Sequence, residues 1–273
     1  MDYAIATSAA LGGVVGLILA LTGAGGGILA VPLLLFVLGL GVAEAAPIAL
    51  LAVALAAGIG AVMGLRLGIV RYRAAALMAG LGMLASPLGL WLARRVPNTP
   101  LTVLFAAVLA YVAVRMFRQT VASHGHVRRD APVTPQPCHL DNGSGRFVWT
   151  AACTRALAFT GLGAGFLSGL FGVGGGFVIV PALKRATDAS QHTIVASSLA
   201  VITLVSASGV AGAAVSGHMD WSIGLPFALG AVAGMIAGRG VAGHISAPRL
   251  QQGFALVAMC TAAGLIVRTM LVR

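Results

Sequence analysis

Apolar residues fall along this chain in ten blocks: roughly 4–21, 28–42, 45–65, 74–93, 100–117, 153–171, 177–187, 193–216, 222–243 and 250–271. A helix needs about 20 apolar residues to cross a bilayer, and most of the blocks approach that length. The block at 177–187 falls short, contains Pro181 and ends on Lys184 and Arg185. It predicts a half-helix, or a helix that starts deep in the membrane. One polar stretch, about 118–149, separates five blocks from five. Its prolines, glycines and histidines read as a surface linker. The pattern predicts an all-α polytopic membrane protein with 8–10 transmembrane segments.

A ten-residue motif occurs twice. Gly23-Ala24-Gly25-Gly26-Gly27-Ile28-Leu29-Ala30-Val31-Pro32 returns 149 positions later as Gly172-Val173-Gly174-Gly175-Gly176-Phe177-Val178-Ile179-Val180-Pro181. The offset holds beyond the motif, pairing Gly12 with Gly161, Gly16 with Gly165, Gly60 with Gly209 and Gly89 with Gly238. An offset that does not slip over five segments predicts two homologous halves, 4–117 and 153–271, joined by the linker 118–149.

Charge in the loops orients the halves. Arg66, Arg71 and Arg73 follow the third segment, whereas the matching Ser216-Gly217-His218-Met219-Asp220 has no Lys or Arg. After the second segment the bias reverses, with Glu44 in one half and Lys184-Arg185 in the other. With five crossings per half, thirteen Lys and Arg gather on one side and four on the other. With four crossings the split is eleven to six. The first arrangement obeys the positive-inside rule better. It predicts inverted repeats, a cytoplasmic linker and both termini outside.

Composition agrees. The chain is 59% hydrophobic and 8% charged, with a mean hydropathy of +1.01, against about 25% charged residues in soluble domains. The net charge of +11 comes from sixteen arginines and one lysine against six acids. In such a chain it speaks for loop anchoring and anionic lipid, not nucleic acid. Met1-Asp2-Tyr3 offers no basic n-region, so the first segment is expected to stay in the mature protein. Cys138, Cys153 and Cys260 share no motif spacing, so no disulfide framework is expected. His124, His126 and Cys138-His139 fit no zinc template and read as loop residues. Neither a metal nor a cofactor is expected.

The glycines carry the candidate chemistry. A Gly-rich break in two matching apolar segments points to a transporter's binding site. Three successive glycines end a helix, and the next helix starts with free N–H groups and a positive dipole end, which favour an anion. Broken backbone at membrane depth must be buried in protein or line a wet cavity. The predicted substrate site comprises Gly23, Gly25, Gly26, Gly27, Pro32, Gly172, Gly174, Gly175, Gly176 and Pro181. Pro32 and Pro181 are expected to cost little so near a helix start. Scattered glycines such as Gly12 and Gly60 fit close helix packing better. Among the intramembrane hydroxyls (Thr22, Ser168, Ser197, Ser198, Thr203, Ser206, Ser208), Ser197 and Ser198 are the best-placed pair. Their counterparts Ile48 and Ala49 are apolar, which predicts an asymmetric site. No acid lies deep in a segment, which disfavours a cation carrier.

The doubled G-x-G-G-G-x-x-x-V-P motif resembles the TauE/SafE family of sulfite exporters, as do the two halves and the central polar loop. The second copy, running on to Ala196-Ser197-Ser198-Leu199 and Gly217-His218-Met219-Asp220-Trp221, is the closer match. The resemblance implies a multi-pass cell-membrane permease, in a bacterial inner membrane, for sulfite, sulfonates or related small organic anions. It puts the glycine motifs and Ser197-Ser198 at the translocation site. Pro47-Ile48-Ala49 and Arg71-Tyr72-Arg73 in the first half depart from the family pattern. The expectation is a non-enzymatic secondary transporter working by alternating access, with an anionic substrate, the bilayer as partner, and H+ or Na+ open as coupling ion. The alternatives are a carrier of small organic acids, or a scaffold or embedded enzyme with Cys153 and Cys260 as its deep candidates.

Overall fold

A computed structural model describes residues 2–23, 26–125, 138, 150–187, 190–242, 253, 256–265 and 267. Among these residues nine helices run α1 (Asp2–Thr22), α2 (Gly26–Val37), α3 (Val42–Arg66), α4 (Tyr72–Arg95), α5 (Asn98–Gly125), α6 (Ala151–Phe171), α7 (Gly176–Ala186), α8 (Gln191–Val215) and α9 (Trp221–Ala242). A tenth, α10, spans Leu256–Leu265. No strand is present among the described residues, and the chain is a multi-pass helical membrane protein.

The apolar blocks became helices because polar backbone cannot be left unpaired in lipid. Among the described residues, five of them are long and apolar enough to span: Ile5–Thr22, Val42–Arg66, Tyr72–Arg95, Gln191–Val215 and Trp221–Gly240. α2 and α7 have only 12 and 11 residues, so the expected half-helix appears in both copies. Large apolar side chains such as Leu84, Phe159 and Leu229 face outward, as on a surface made for lipid. At one interface Arg95 lies 4.3 Å over the Trp91 ring, a pairing suited to the headgroup level.

Small residues let the helices close up. A Cβ added at Gly12 would stand 1.9 Å from the Phe227 carbonyl oxygen, and one at Gly161 would stand 2.6 Å from that of Met78. Gly16 meets Ala231 on α9, and Gly165 meets Gly82 on α4, with equal intimacy. So α1 runs parallel to α9, and α6 parallel to α4. At the centre α3 crosses α8. Cβ atoms at Gly60 and Gly209 would each lie 2.7 Å from a leucine Cδ1, of Leu199 and Leu50 respectively. Every one of these contacts recurs at the 149-residue offset. Leu50 against Gly209 and Gly64 against Ala196 make α3 and α8 antiparallel.

Three expectations need correction. The first residues of the polar stretch, 118–125, are helical rather than loop, because α5 continues to Gly125. Its apolar part ends at Val114, and the following Arg and Gln residues are good helix formers once outside lipid. Prolines 32 and 181 are the seventh and sixth residues of their helices, beyond the roughly four free N–H groups at a helix start. Each therefore removes a helical bond and leaves the carbonyl four residues earlier, Ile28 or Phe177, without its helical donor.

The third correction concerns cysteine. Cys138 and Cys153 form a disulfide, with Cα atoms 4.9 Å apart. Cys138 also donates its N–H to the Ala186 carbonyl at 3.0 Å and pairs with Thr187 as an isolated bridge. The bond ties the linker to the start of α6 and the end of α7. Sequence spacing could not show it, because the pairing depends on how α6 and α7 sit side by side. Cys153 is thus paired in this structure, and Cys260 is free and exposed.

Candidate functional site

Each glycine motif ends one helix and starts another. α6 closes on Gly172 in the left-handed region, φ 72°, with its N–H on the Ser168 carbonyl at 2.8 Å. Gly174 and Gly175 are also left-handed, at φ 74° and 70°. That backbone suits glycine far better than any L side chain. In the first copy Gly23 has φ 76° and donates to Leu19, while Gly25 lies outside the described residues.

The two breaks meet. A Cβ on Gly27 would stand 2.3 Å from the Val173 carbonyl oxygen and 3.3 Å from Val53. One on Gly174 would stand 2.7 Å from Val53 and 3.1 Å from Ile202. Val53 is the twelfth of 25 residues in α3, and Ile202 the twelfth of 25 in α8. The breaks thus face each other at mid-length of the two central helices. Gly172, Gly174, Gly175 and Gly176 are buried. Among the described residues, no backbone acceptor takes the N–H groups of Gly174, Gly175, Gly176 or Phe177. Those donors and the N-terminal dipole of α7 make the break electropositive without a charged side chain.

Three hydroxyls lie on the helices around the second break. Ser86 of α4, Ser168 of α6 and Ser206 of α8 are fully buried, and their Oγ atoms have no hydrogen-bond partner among the described residues. The Ser206 Oγ would lie 3.2 Å from a Cβ on Gly174. Ser86 Oγ would lie 3.1 Å from a Cβ on Gly209, one turn below Ser206, and the Ser86 carbonyl packs on Gly169. Their counterparts at the 149-residue offset are Met235, Leu19 and Ala57, so one side of the breaks is polar and the other apolar. Ser86 escaped the sequence reading. Its signal was a serine before Pro87 in an otherwise apolar segment.

The other intramembrane hydroxyls turn back on their own helices. Thr22 donates to Ile18, Ser198 to Val195, Thr203 to Leu199 and Ser208 to Val205, as isolated helix hydroxyls commonly do. The expected Ser197-Ser198 pair is therefore split. Ser197 faces the start of α4, where its Oγ accepts the Arg71 N–H at 3.0 Å. Arg239 near the end of α9 reaches α3, donating to the Gly60 carbonyl at 3.3 Å.

The family model described as sulfite exporter TauE/SafE matches residues 8–265. The chain belongs to the TauE/SafE family. A relative from Xylella fastidiosa strain 9a5c, named probable membrane transporter protein, is 32% identical, over 94% of this chain and 93% of its own length. One of the same name from strain Temecula1 is 30% identical, with the same coverage. The Bacillus subtilis probable membrane transporter protein YunE is 36% identical over 31% of this chain and 30% of its own length. No solved structure matches. This TauE/SafE chain is a membrane transporter by family, and its two glycine breaks lie within the matched span.

Proposed function

We propose that the protein is a secondary permease for a small anion, sulfite or a related organosulfur anion, bound where the two glycine breaks meet. The observation that carries this reading is the convergence of Gly27, Val173 and Gly174 at mid-length of α3 and α8, with N–H donors that no backbone acceptor takes among the described residues. A buried polar group left unpaired costs about 1–3 kcal/mol. Ser86, Ser168 and Ser206 therefore belong to a place that water or substrate fills. An oxyanion accepts such hydrogen bonds and donates none or one, which matches a site made of donors.

The halves work as inverted repeats that rock about this point by alternating access. The antiparallel crossing of α3 on its own counterpart α8, with reciprocal glycine contacts on both sides, supports inversion. A crossing between parallel repeats would bring Leu50 near Leu199, rather than near Gly209. The family's description as a sulfite exporter supports the substrate class.

The test is uptake of radiolabelled sulfite into proteoliposomes, in competition with sulfate, thiosulfate and sulfoacetate. The probe variants are Gly27→Ala and Gly174→Ala, whose new Cβ atoms crowd the junction. Saturable sulfite flux, lost in both variants while the folded fraction is unchanged, is the expected result. Wild-type protein that is folded and carries none of these anions would sink the reading.

A further inference from the structure

A second polar site lies away from the breaks. The ends of α7 and the starts of α4 and α8 enclose a small cleft lined by Arg71, Thr187, Thr193 and Ser197, with Met78 and Val201 at its floor. Its enclosed part is about 10 Å³, room for the centre of one water or one anion oxygen. Ser197 is 4% exposed, and its hydroxyl proton has no acceptor among the described residues, since the Oγ only receives the Arg71 N–H. Arg71 Nε is buried and has no partner among the described residues. The first turn of α8, capped by Ser190, adds its positive dipole end. None of the lining residues is acidic.

The same positions at the other end of the molecule carry opposite chemistry. Shifting by 149, Arg71 becomes Asp220, Thr193 becomes Glu44, Ser197 becomes Ile48 and Thr187 becomes Leu38. Asp220 and Glu44 are spent as helix caps, Asp220 accepting from Ser222 and Glu44 from Gly41. One mouth thus presents unused donors and a cation, and its counterpart presents carboxylates and alkyl groups.

We propose that the Arg71–Ser197 cleft is an oxyanion-loading site at one mouth of the path, and that the Asp220–Glu44 mouth has no equivalent. Arg71 Nε–H and the Ser197 hydroxyl each donate to one oxygen of the anion, whose remaining oxygens face the opening. Val201 at the floor lies beside Ile202, at the meeting point of the breaks, so an anion released inward moves by about one helical turn. The two faces of the carrier then differ in apparent affinity, and the linker face loads at lower concentration. This inference rests on the permease reading above.

The experiment measures initial sulfite flux in vesicles sorted for a single protein orientation, with the concentration varied on one face at a time. Wild type should show the lower KM when sulfite is on the linker face. Arg71→Gln and Ser197→Ala should each raise that KM roughly ten- to hundredfold, as loss of a hydrogen bond to a charged group does, and leave the opposite-face KM unchanged. Thermal melting of each variant without sulfite separates a loading defect from misfolding, and Ser197→Ala serves if Arg71→Gln unfolds. Wild-type flux with equal KM on both faces, or variants that leave the linker-face KM untouched, would overturn the cleft and leave the permease standing. Absence of wild-type flux from either face would instead take down the permease reading.

Discussion

At the scale of single residues, two kinds of position carry the molecule. One is the glycine whose missing side chain another helix occupies. A Cβ on Gly165 would lie 2.2 Å from the Gly82 carbonyl oxygen, while one on Gly163 would meet nothing within 4 Å. Gly165→Val should therefore push α6 off α4 at a cost of at least about 1–3 kcal/mol. For a chain of this size, about 2–4 °C of melting temperature goes with each kcal/mol. Gly163→Val should leave the midpoint where it is, and a thermal melt of both in detergent checks the pair. The other kind is the buried hydroxyl without a partner. Removing an unsatisfied donor relieves a penalty, so Ser206→Ala should melt no lower than wild type. Its sulfite flux should nevertheless fall, because the hydroxyl beside Gly174 is lost to the anion. Unchanged flux in a stable Ser206→Ala would make this serine a packing residue. The glycines were legible in the sequence because a doubled tripled-glycine motif is improbable by chance. The serines were only half legible. Sequence marks a hydroxyl as intramembrane, but only tertiary neighbours show whether it turns back on its own carbonyl, as Ser198 does, or is left over, as Ser206 is.

At the scale of elements, the apolar blocks translated into helices with bounds off by a few residues, because lipid leaves helix as the default for any long apolar segment. Partners were less legible. Nothing in a uniformly apolar helix says which face meets which neighbour, so the pairing of α1 with α9 and α4 with α6 had to come from the fold. The repeat could have hinted at it, since any contact in a two-fold pair must appear twice. The antiparallel crossing of α3 and α8 is open to direct test. In a background without Cys138, Cys153 and Cys260, the pair Gly64→Cys and Ala196→Cys would put two Cβ atoms about as close as the 3.0 Å between the Gly64 Cβ position and the Ala196 Cβ. Small backbone shifts would bring them to disulfide distance. Oxidation should join them within one chain. The pair Leu50→Cys and Leu199→Cys should stay unjoined, and the reverse outcome would mean parallel halves.

At the scale of the whole molecule, orientation and the disulfide pull against each other. Following the helix directions, Cys138, the end of α3 and the start of α8 share one face, the one to which the count with five crossings per half assigns thirteen of the seventeen Lys and Arg residues. The positive-inside rule assigns such a face to the cytoplasm. Disulfides, however, persist in oxidising compartments and are kept reduced in the cytosol. Charge bias acts during insertion of every segment, whereas a thiol pair adjusts afterwards to its surroundings, so the charge argument should prevail. In living cells Cys138 and Cys153 are then expected as a dithiol, held ready to bond by the contact of Cys138 with Ala186 and Thr187. Once oxidised, the bond closes a 15-residue separation, worth about 3 kcal/mol by loop-closure entropy. Purified protein should accordingly melt higher before reduction than after it. Acid quenching of intact cells carrying Cys260→Ser, followed by denaturation and labelling with a polyethylene-glycol maleimide, reads the state directly. Two added masses place the linker, and with it the Arg71–Ser197 cleft, on the cytoplasmic face, so that the anion loads from inside the cell. No added mass would place both outside, reverse the charge-based orientation, and make the same cleft a site of capture from the environment.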